Sequence, residues 1–345
     1  MKMIHVQQVF RRPIPEYFSL ENVFSTIRQP LEKLIRITQT SAPSARANPL
    51  SVLSNLRAFR KLHGDVFHVT GDIHYAVFAF PGKKTVLTIH DCVFLYNTKG
   101  LRRWIFLWCW LKLPVRHARF ITTISEATKK DIIDHTGCAP SKIVVINNPM
   151  DAAFMYTPKS FNASKPVILQ MGTWSNKNLE RVIEALTGLS CHLTIIGKLS
   201  DEQLALLKQS NMEYSNHFNI SKDGLIAQYK ACDMVLFAST FEGFGLPVIE
   251  AQAIGRPLVT SDLSPMKDVA GEGACLANPY DSVSIRNCVN RIISEAAYRT
   301  ALVENGLVNV RRFEPGNIAA AYAAVYAKAG GTTVTPAVKS STGLQ

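Results

Sequence analysis

The chain has 345 residues, 47% of them hydrophobic, which is enough to bury a sizeable core, suits two domains better than one and excludes a disordered protein. No apolar run reaches the roughly 18 residues of a membrane-crossing helix, the N-terminus lacks the pattern of a cleaved leader, and the seven cysteines are scattered without a C-x-x-C pair, so a cytoplasmic protein with reduced thiols is expected. The formal net charge of +12 lies almost wholly in residues 1–155, where 21 Lys and Arg face 10 Asp and Glu, against 17 and 16 in residues 156–345; a one-sided positive field points to phosphate groups, a lipid head-group surface or nucleic acid, or to a solvated basic face.

Taken in chain order, short apolar runs rich in β-branched residues stand at 3–9, 65–69, 85–89, 120–124 and 143–146, with longer amphipathic segments between them. That spacing predicts βαβ units around a parallel sheet. Between 156 and 166 the sequence turns polar and carries two prolines, which predicts a linker. A second series of strand candidates follows at 167–171, 193–196, 233–238 and 257–260. The expected fold class is α/β, with two Rossmann-like domains over 1–155 and 160–310 facing each other across a cleft. Ligands of such sheets meet the carboxyl ends of strands and the N-termini of helices, so the cleft is the expected site. The tail from 330 to 345, rich in Gly, Thr and Ser, is expected to be disordered.

The densest chemical signal is S-T-F-E-G-F-G-L-P-V-I-E over residues 239–250. It follows the run at 233–238, and Pro247 suits the first position of a helix reaching about Ile254. Gly243 and Gly245 let the backbone approach a ligand, and the free amides at the helix start favour an anion such as phosphate. Glu242 precedes that helix and Glu250 lies about a turn inside it, so the two carboxylates can accept hydrogen bonds from different parts of one elongated ligand.

This E-x7-E pattern with G-F-G-L-P inside it resembles the signature of glycosyltransferase family 4, the group 1 glycosyltransferases. The resemblance implies a GT-B fold whose first domain holds the acceptor and whose second holds a nucleotide-sugar donor. It puts Glu242 on the donor sugar, the amides of Gly243, Phe244, Gly245 and Leu246 on sugar and phosphate, and Glu250 on the nucleotide ribose. Upstream, Q-M-G-T-W-S-N-K-N-L over 170–179 is similar to the loop that carries Arg-Lys-Asn in the family, both cations on the donor diphosphate. Here Gly172 opens the loop, Asn176 replaces the arginine, and Lys177 alone would stabilise the leaving diphosphate. In the first domain the run at 85–89 delivers His90 and Asp91, where the family has a histidine and an acid facing donor sugar and acceptor; a capped turn is the plainer reading. Ser125 and Glu126 also match, yet Thr123-x-x-Glu126 reads equally as a capping box. Asn147, Asn148, Pro149 and Asp151 fall before the family's interdomain linker, where a turn suffices. Residues 311–329 resemble the helix that crosses back onto the first domain.

The clearest departure from the family is at the N-terminus, where a glycine pair after the first strand is replaced by V-F-R-R-P over 9–13. Arg11 and Arg12 are candidates for phosphate or acceptor contacts in its place. Residues 101–112 combine Trp104, Trp108 and Trp110 with flanking cations; they read first as an apolar helix packed into the first domain, and otherwise as a helix lying in a membrane interface. D-x-D, H-E-x-x-H, G-x-G-x-x-G and phosphate-loop patterns are absent.

The resemblance therefore implies a retaining, metal-independent hexosyltransferase with no cofactor beyond its donor, acting on a glycan or lipid-linked glycan in cell-surface polysaccharide synthesis. Peripheral association with an anionic membrane, at its inner face, goes with that reading, and nucleic acid is not expected as a partner. The alternatives are a sugar-nucleotide epimerase on the same scaffold and a non-catalytic donor-binding subunit.

Overall fold

The computed structural model describes residues 3–13, 19–46, 48–96 and 98–332. Residues 333–345 of the expected disordered tail, and 14–18 after the two N-terminal arginines, lie outside the described residues. The chain divides into two units, one of Met1–Pro149 with the chain from Pro315 onward, the other of Met150–Glu314. Residues 150–155, assigned to the first domain by their sequence, cluster with the second. There Phe154 packs edge-on to Tyr229, Asp151 pairs with Lys222, and the Met150 amide donates to the Phe313 carbonyl.

Each unit is a six-stranded parallel sheet with helices against it. In the first, β1 (His5–Phe10), β2 (Arg36–Ser41), β3 (Val66–Val69), β4 (Thr85–Ile89), β5 (Phe120–Thr123) and β6 (Ile143–Val145) run in the order β2-β1-β3-β4-β5-β6. In the second, β7 (Val167–Met171), β8 (His192–Ile196), β9 (Glu213–His217), β10 (Met234–Phe237), β11 (Leu258–Ser261) and β12 (Cys275–Ala277) run β12-β11-β10-β7-β8-β9. Central strands such as β3, β4, β10 and β11 are buried along their whole length, which is why they show as continuous apolar runs. The strands that the sequence pattern does not predict, β2, β9 and β12, are all edges. β2, R-I-T-Q-T-S, is exposed or half-buried along its whole length with Ile37 its one apolar residue, because a strand with one neighbour needs little apolar surface.

Both sheets have a point where successive connections leave in opposite directions: between β1 and β3 in the first unit and between β7 and β10 in the second. Loops diverge there at the carboxyl ends and leave a crevice.

The final helix, Pro315–Gly330, belongs to the first unit, where Ile318, Tyr322, Val325 and Tyr326 pack with Val23, Phe24, Ile27 and Leu31. Its polar anchor is buried. Tyr326 Oη meets His68 Nδ1 at 2.8 Å, and His68 Nε2 meets Thr88 Oγ1 at 2.7 Å. Burial first, and the nearby His90 second, lower the His68 pKa to about 3. The imidazole is therefore neutral in the fold, while the unfolded chain takes up a proton below about pH 6.5. Stability from this site is complete above that pH and is lost progressively as the pH falls from about 6.5 toward 3. In denaturant titrations at pH 7.5 and 5.0, replacing His68 by Gln should shrink the loss of stability between the two by about 2 kcal/mol. An unchanged difference would contradict the buried neutral histidine.

Candidate functional site

The second unit's crevice is built from two loops. β7 ends in Gly172, whose φ of +85° is left-handed, and a Cβ there would stand 2.7 Å from Lys177 Cγ. Only glycine lets the lysine stem lie against the loop. A short turn, Ser175–Lys177, then leads into Asn178, also left-handed at φ +63° and buried. The Asn178 amide donates to the carbonyls of Ala238 (3.0 Å) and Pro279 (2.6 Å). Gln170 donates to the Lys177 carbonyl at 2.9 Å, and the Thr240 amide donates to the Asn176 carbonyl at 2.8 Å. The Asn178–Ala238 and Thr240–Asn176 bonds thus tie the loops after β7 and β10 together, while Gln170 braces the first of them from within. Neither Asn178 nor Gln170 stood out in the sequence as a site residue; an amide beside a left-handed turn was the available signal.

These ties bring Lys177 and Glu242 into contact. Lys177 Nζ donates to Glu242 Oε1 at 2.5 Å, both side chains being mostly buried, and lies 5.0 Å from the Phe237 ring centre. Asn176 Nδ2 donates to the Phe241 carbonyl (2.9 Å) and to Glu242 Oε1 (3.3 Å). Asn176, Lys177 and Glu242 therefore form one cluster in which a single cation is balanced by a single carboxylate. Gly243 follows, partly buried, and Phe244 is buried against Phe313. Gly245, at φ +97°, caps a helix spanning Leu246–Ile254. Leu246 thus takes the first helical position expected for Pro247, which is the second; the left-handed glycine starts the helix one residue earlier.

Glu250 projects from that helix, partly buried, and accepts a hydrogen bond from Tyr229 Oη at 2.7 Å. Burial raises its pKa to about 7, with the Asp151 charge adding to the rise and the Tyr229 hydrogen bond, Lys177 and Lys222 opposing it. It is a carboxylate poised to titrate near neutrality. Among the described residues there is no group of three or more His, Cys, Asp or Glu that could hold a metal ion.

In the first unit the β1/β3 crevice carries a second ion pair. Arg11 follows β1 and its Nη1 meets Asp72 Oδ2 at 2.5 Å, so Arg11 sits at the switch point with its charge balanced. Arg12 is exposed and donates to the Pro43 carbonyl at 2.8 Å. Next to this pair a pocket of about 160 Å³ is lined by Asp72, His74, His90, Asp91, Phe94, Phe106 and Trp110. His90 Nε2 bonds the Thr70 carbonyl at 2.9 Å, so that nitrogen carries the proton of the neutral ring. Burial lowers the His90 pKa, against the raising effects of that carbonyl and of Asp72 and Asp91. Asp91 Oδ1 accepts from the Val93 amide at 3.0 Å, which makes it the cap of a turn as well as a pocket wall.

The capping box proposed for Thr123 and Glu126 is not formed. Ser125 caps helix Glu126–Thr136 by accepting from the Thr128 amide, while Thr123 ends β5 with its hydroxyl buried. Strand pairing holds Thr123 in place, so the cap falls to Ser125, two residues beyond the strand. Asn147 donates to the Ile124 carbonyl at 2.8 Å and serves as turn chemistry.

Two measurements check this geometry. In Tyr229→Phe the loss of a hydrogen bond to the charged form should move the Glu250 titration from about 7 toward about 8, read by carboxyl-carbon NMR; no movement would mean that the Tyr229 contact is not made in solution. Gly172→Ala should cost about 1–2 kcal/mol in denaturant unfolding, because a left-handed φ and the Lys177 stem both oppose a Cβ.

Comparison with known proteins gives the family. The family model described as glycosyl transferases group 1 matches residues 156–308, and that described as Glycosyltransferase Family 4 matches residues 16–154. Among curated proteins, the serotype-specific mannosyltransferase WbdA of Escherichia coli is 24% identical over 265 residues, covering 68% of this chain and 32% of its own length. The O-antigen chain mannosyltransferase RfbU of Salmonella typhimurium is 24% identical, covering 61% of each. The MMP alpha-(1->4)-mannosyltransferase of Mycolicibacterium hassiacum is 24% identical, covering 80% of this chain and 74% of its own. The chain spans about a third of the length of the first curated relatives it matches. Among solved structures, the sucrose-phosphate synthase of Thermosynechococcus elongatus superposes with a TM-score of 0.72 at 15% identity, covering 94% of this chain and 98% of its own. HepE of Anabaena in complex with UDP and glucose gives 0.72 at 16%, covering 93% and 99%. With one family model on most of each unit, and the same two-sheet architecture in its structural neighbours, the chain belongs to the group 1 glycosyltransferases of glycosyltransferase family 4 and has the GT-B fold.

Proposed function

We propose that the chain transfers a mannosyl residue, with retention of configuration, from a nucleoside-diphosphate donor to a hydroxyl of a glycan or lipid-linked glycan in the assembly of an O-antigen-like surface polysaccharide. The observation that carries this reading is the β7/β10 crevice, where Lys177, Glu242 and Glu250 line up on two loops and the helix that follows. The mannosyl group and the polysaccharide come from the activities named for the relatives in Escherichia coli and Salmonella.

In this reading Glu250 accepts the ribose hydroxyls, Glu242 accepts a hydroxyl of the donor sugar, and Lys177 lies against the diphosphate. The ion pair means that Lys177 arrives already oriented, and the anionic donor draws it from sole service to Glu242 into a shared contact. As the bond from the anomeric carbon to the diphosphate oxygen breaks, negative charge grows on that oxygen, and Lys177 with the amides from Gly243 to Leu246 stabilises it. The acceptor oxygen bonds to the anomeric carbon on the same face, and its proton passes to the departing diphosphate. Asn176, where the family has arginine, contributes an amide already engaged with Glu242 and no second charge. His90, neutral, and Asp91 are the acceptor-side candidates. Transfer without a metal is part of the proposal.

The non-catalytic reading draws on the same substitution of Asn176 and on the balanced Arg11; it predicts donor binding without turnover. Thermal unfolding with GDP, UDP and ADP and with their sugar conjugates, with and without EDTA, tests the site. One nucleotide class at about 100 times its dissociation constant should stabilise by roughly 2.7 kcal/mol, unaffected by EDTA and lost in Glu250→Ala. In transfer assays Lys177→Ala should lower kcat by about 100-fold. No stabilisation by any nucleotide would refute the donor site, and binding without sugar transfer would favour the silent subunit.

A further inference from the structure

Residues 100–117 form one continuous helical stretch, α-helical over Gly100–Ile105, π-helical over Phe106–Lys112 and α-helical again over Leu113–His117. It has two faces with opposite destinations. Phe106, Leu107, Trp110 and Leu111 turn inward to the core of the first unit, and Phe106 and Trp110 also wall the pocket that contains Asp72, His90 and Asp91. Leu101, Trp104, Ile105 and Trp108 recur at the i, i+3, i+4, i+7 spacing of one stripe and are exposed by 74, 58, 45 and 39%. Four large apolar side chains in one exposed stripe are a binding surface rather than scattered surface residues.

The charges around the stripe identify what it meets. From Lys99 to Arg119 the sequence has six Lys and Arg and no Asp or Glu. Lys112 Nζ lies 4.7 Å from the Trp108 ring centre, and the Arg102 guanidinium lies 5.8 Å from that of Phe106. Lys112 is thus carried beside an exposed ring of the stripe, the arrangement that lets a ring enter an acyl boundary while the charged end stays among head groups. A second copy of this segment would bring only like charges together, which argues against self-association. No helix of the described residues is long and apolar enough to cross a membrane; this one suits lying in the interface plane.

We propose that residues 99–119 dock the first unit on an anionic phospholipid surface, through Leu101, Trp104, Ile105 and Trp108 with the cations beside them. The same helix then holds the His90 pocket next to the bilayer, where the sugar of a lipid-linked acceptor would lie; this consequence rests on the proposed acceptor class, whereas the docking itself does not.

The test is sedimentation of the whole chain with phosphatidylcholine vesicles, with and without phosphatidylglycerol, and an environment-sensitive fluorophore on Cys109, the exposed cysteine of this helix. The chain should pellet with the anionic vesicles, and the fluorophore should shift to shorter wavelength. Trp104→Ser with Trp108→Ser should weaken partition by more than about tenfold. Arg102→Gln with Arg103→Gln should weaken it roughly 30-fold on the anionic vesicles. Both variants alter exposed side chains and should keep the wild-type unfolding midpoint. A wild-type chain that stays in solution at low salt, a tryptophan variant that pellets like wild type, a fluorophore that stays at its aqueous wavelength in the pellet, or a free-chain dimer abolished in that variant would each overturn the proposal. None of these readings uses turnover, so failure here leaves the nucleotide test standing.

Discussion

The carboxyl ends of β7 and β10 are the constraint from which the second unit's chemistry follows. Adjacent parallel strands whose connections run to opposite sides must shed their loops away from each other. The sheet alone would leave those loops independent. Buried amides prevent it: Asn178 reaches the Ala238 and Pro279 carbonyls, Gln170 reaches that of Lys177, and the Thr240 amide reaches that of Asn176. With both loops held, a lysine from one and a glutamate from the other meet over the Phe237 ring. A charged pair in such a partly dry place gains little by itself in stability; its consequence is orientation, since neither side chain has to search for its partner.

Each crevice holds one balanced ion pair, whereas the charge of the chain as a whole is unbalanced. Lys177 faces Glu242, and Arg11 faces Asp72. The excess of basic residues therefore does not lie in those pairs, and the acid-free segment around residues 99–119 accounts for part of it. Glu250 differs from the others, being held mainly by a neutral hydroxyl, and its burial leaves it near its titration point. Binding that depends on its charged form strengthens as the pH rises through about 7.

The first unit depends on its returning C-terminal helix in a similar way. Tyr322 and Tyr326 fill the core beside Phe24, and the Tyr326 hydroxyl reaches His68 in β3. A neutral buried histidine bridging a helix and a strand needs partners on both ring nitrogens, and it has them in Tyr326 and Thr88. His68 stands two residues before Thr70, whose carbonyl receives the His90 ring, so the packing of that helix and the placing of a candidate site residue share one strand.

The sequence by itself determined the α/β class, most central strands and the E-x7-E and Lys177 motifs, because buried strands are apolar along their whole length and glycine-rich turns are chemically distinctive. It missed β2, β9 and β12, since edge strands carry no such run. Other features were decided only by tertiary structure. The Lys177–Glu242 contact joins residues 65 positions apart; the Tyr229 hydroxyl on Glu250 and the Arg11–Asp72 pair likewise join distant segments. The two faces of the tryptophan helix were legible only as alternatives, and only the fold shows that Trp110 packs toward the core of the first unit while Trp104 and Trp108 stay exposed. Periodicity records how much of a side chain is buried. Which partner it meets depends on loops that the sheet order alone brings together.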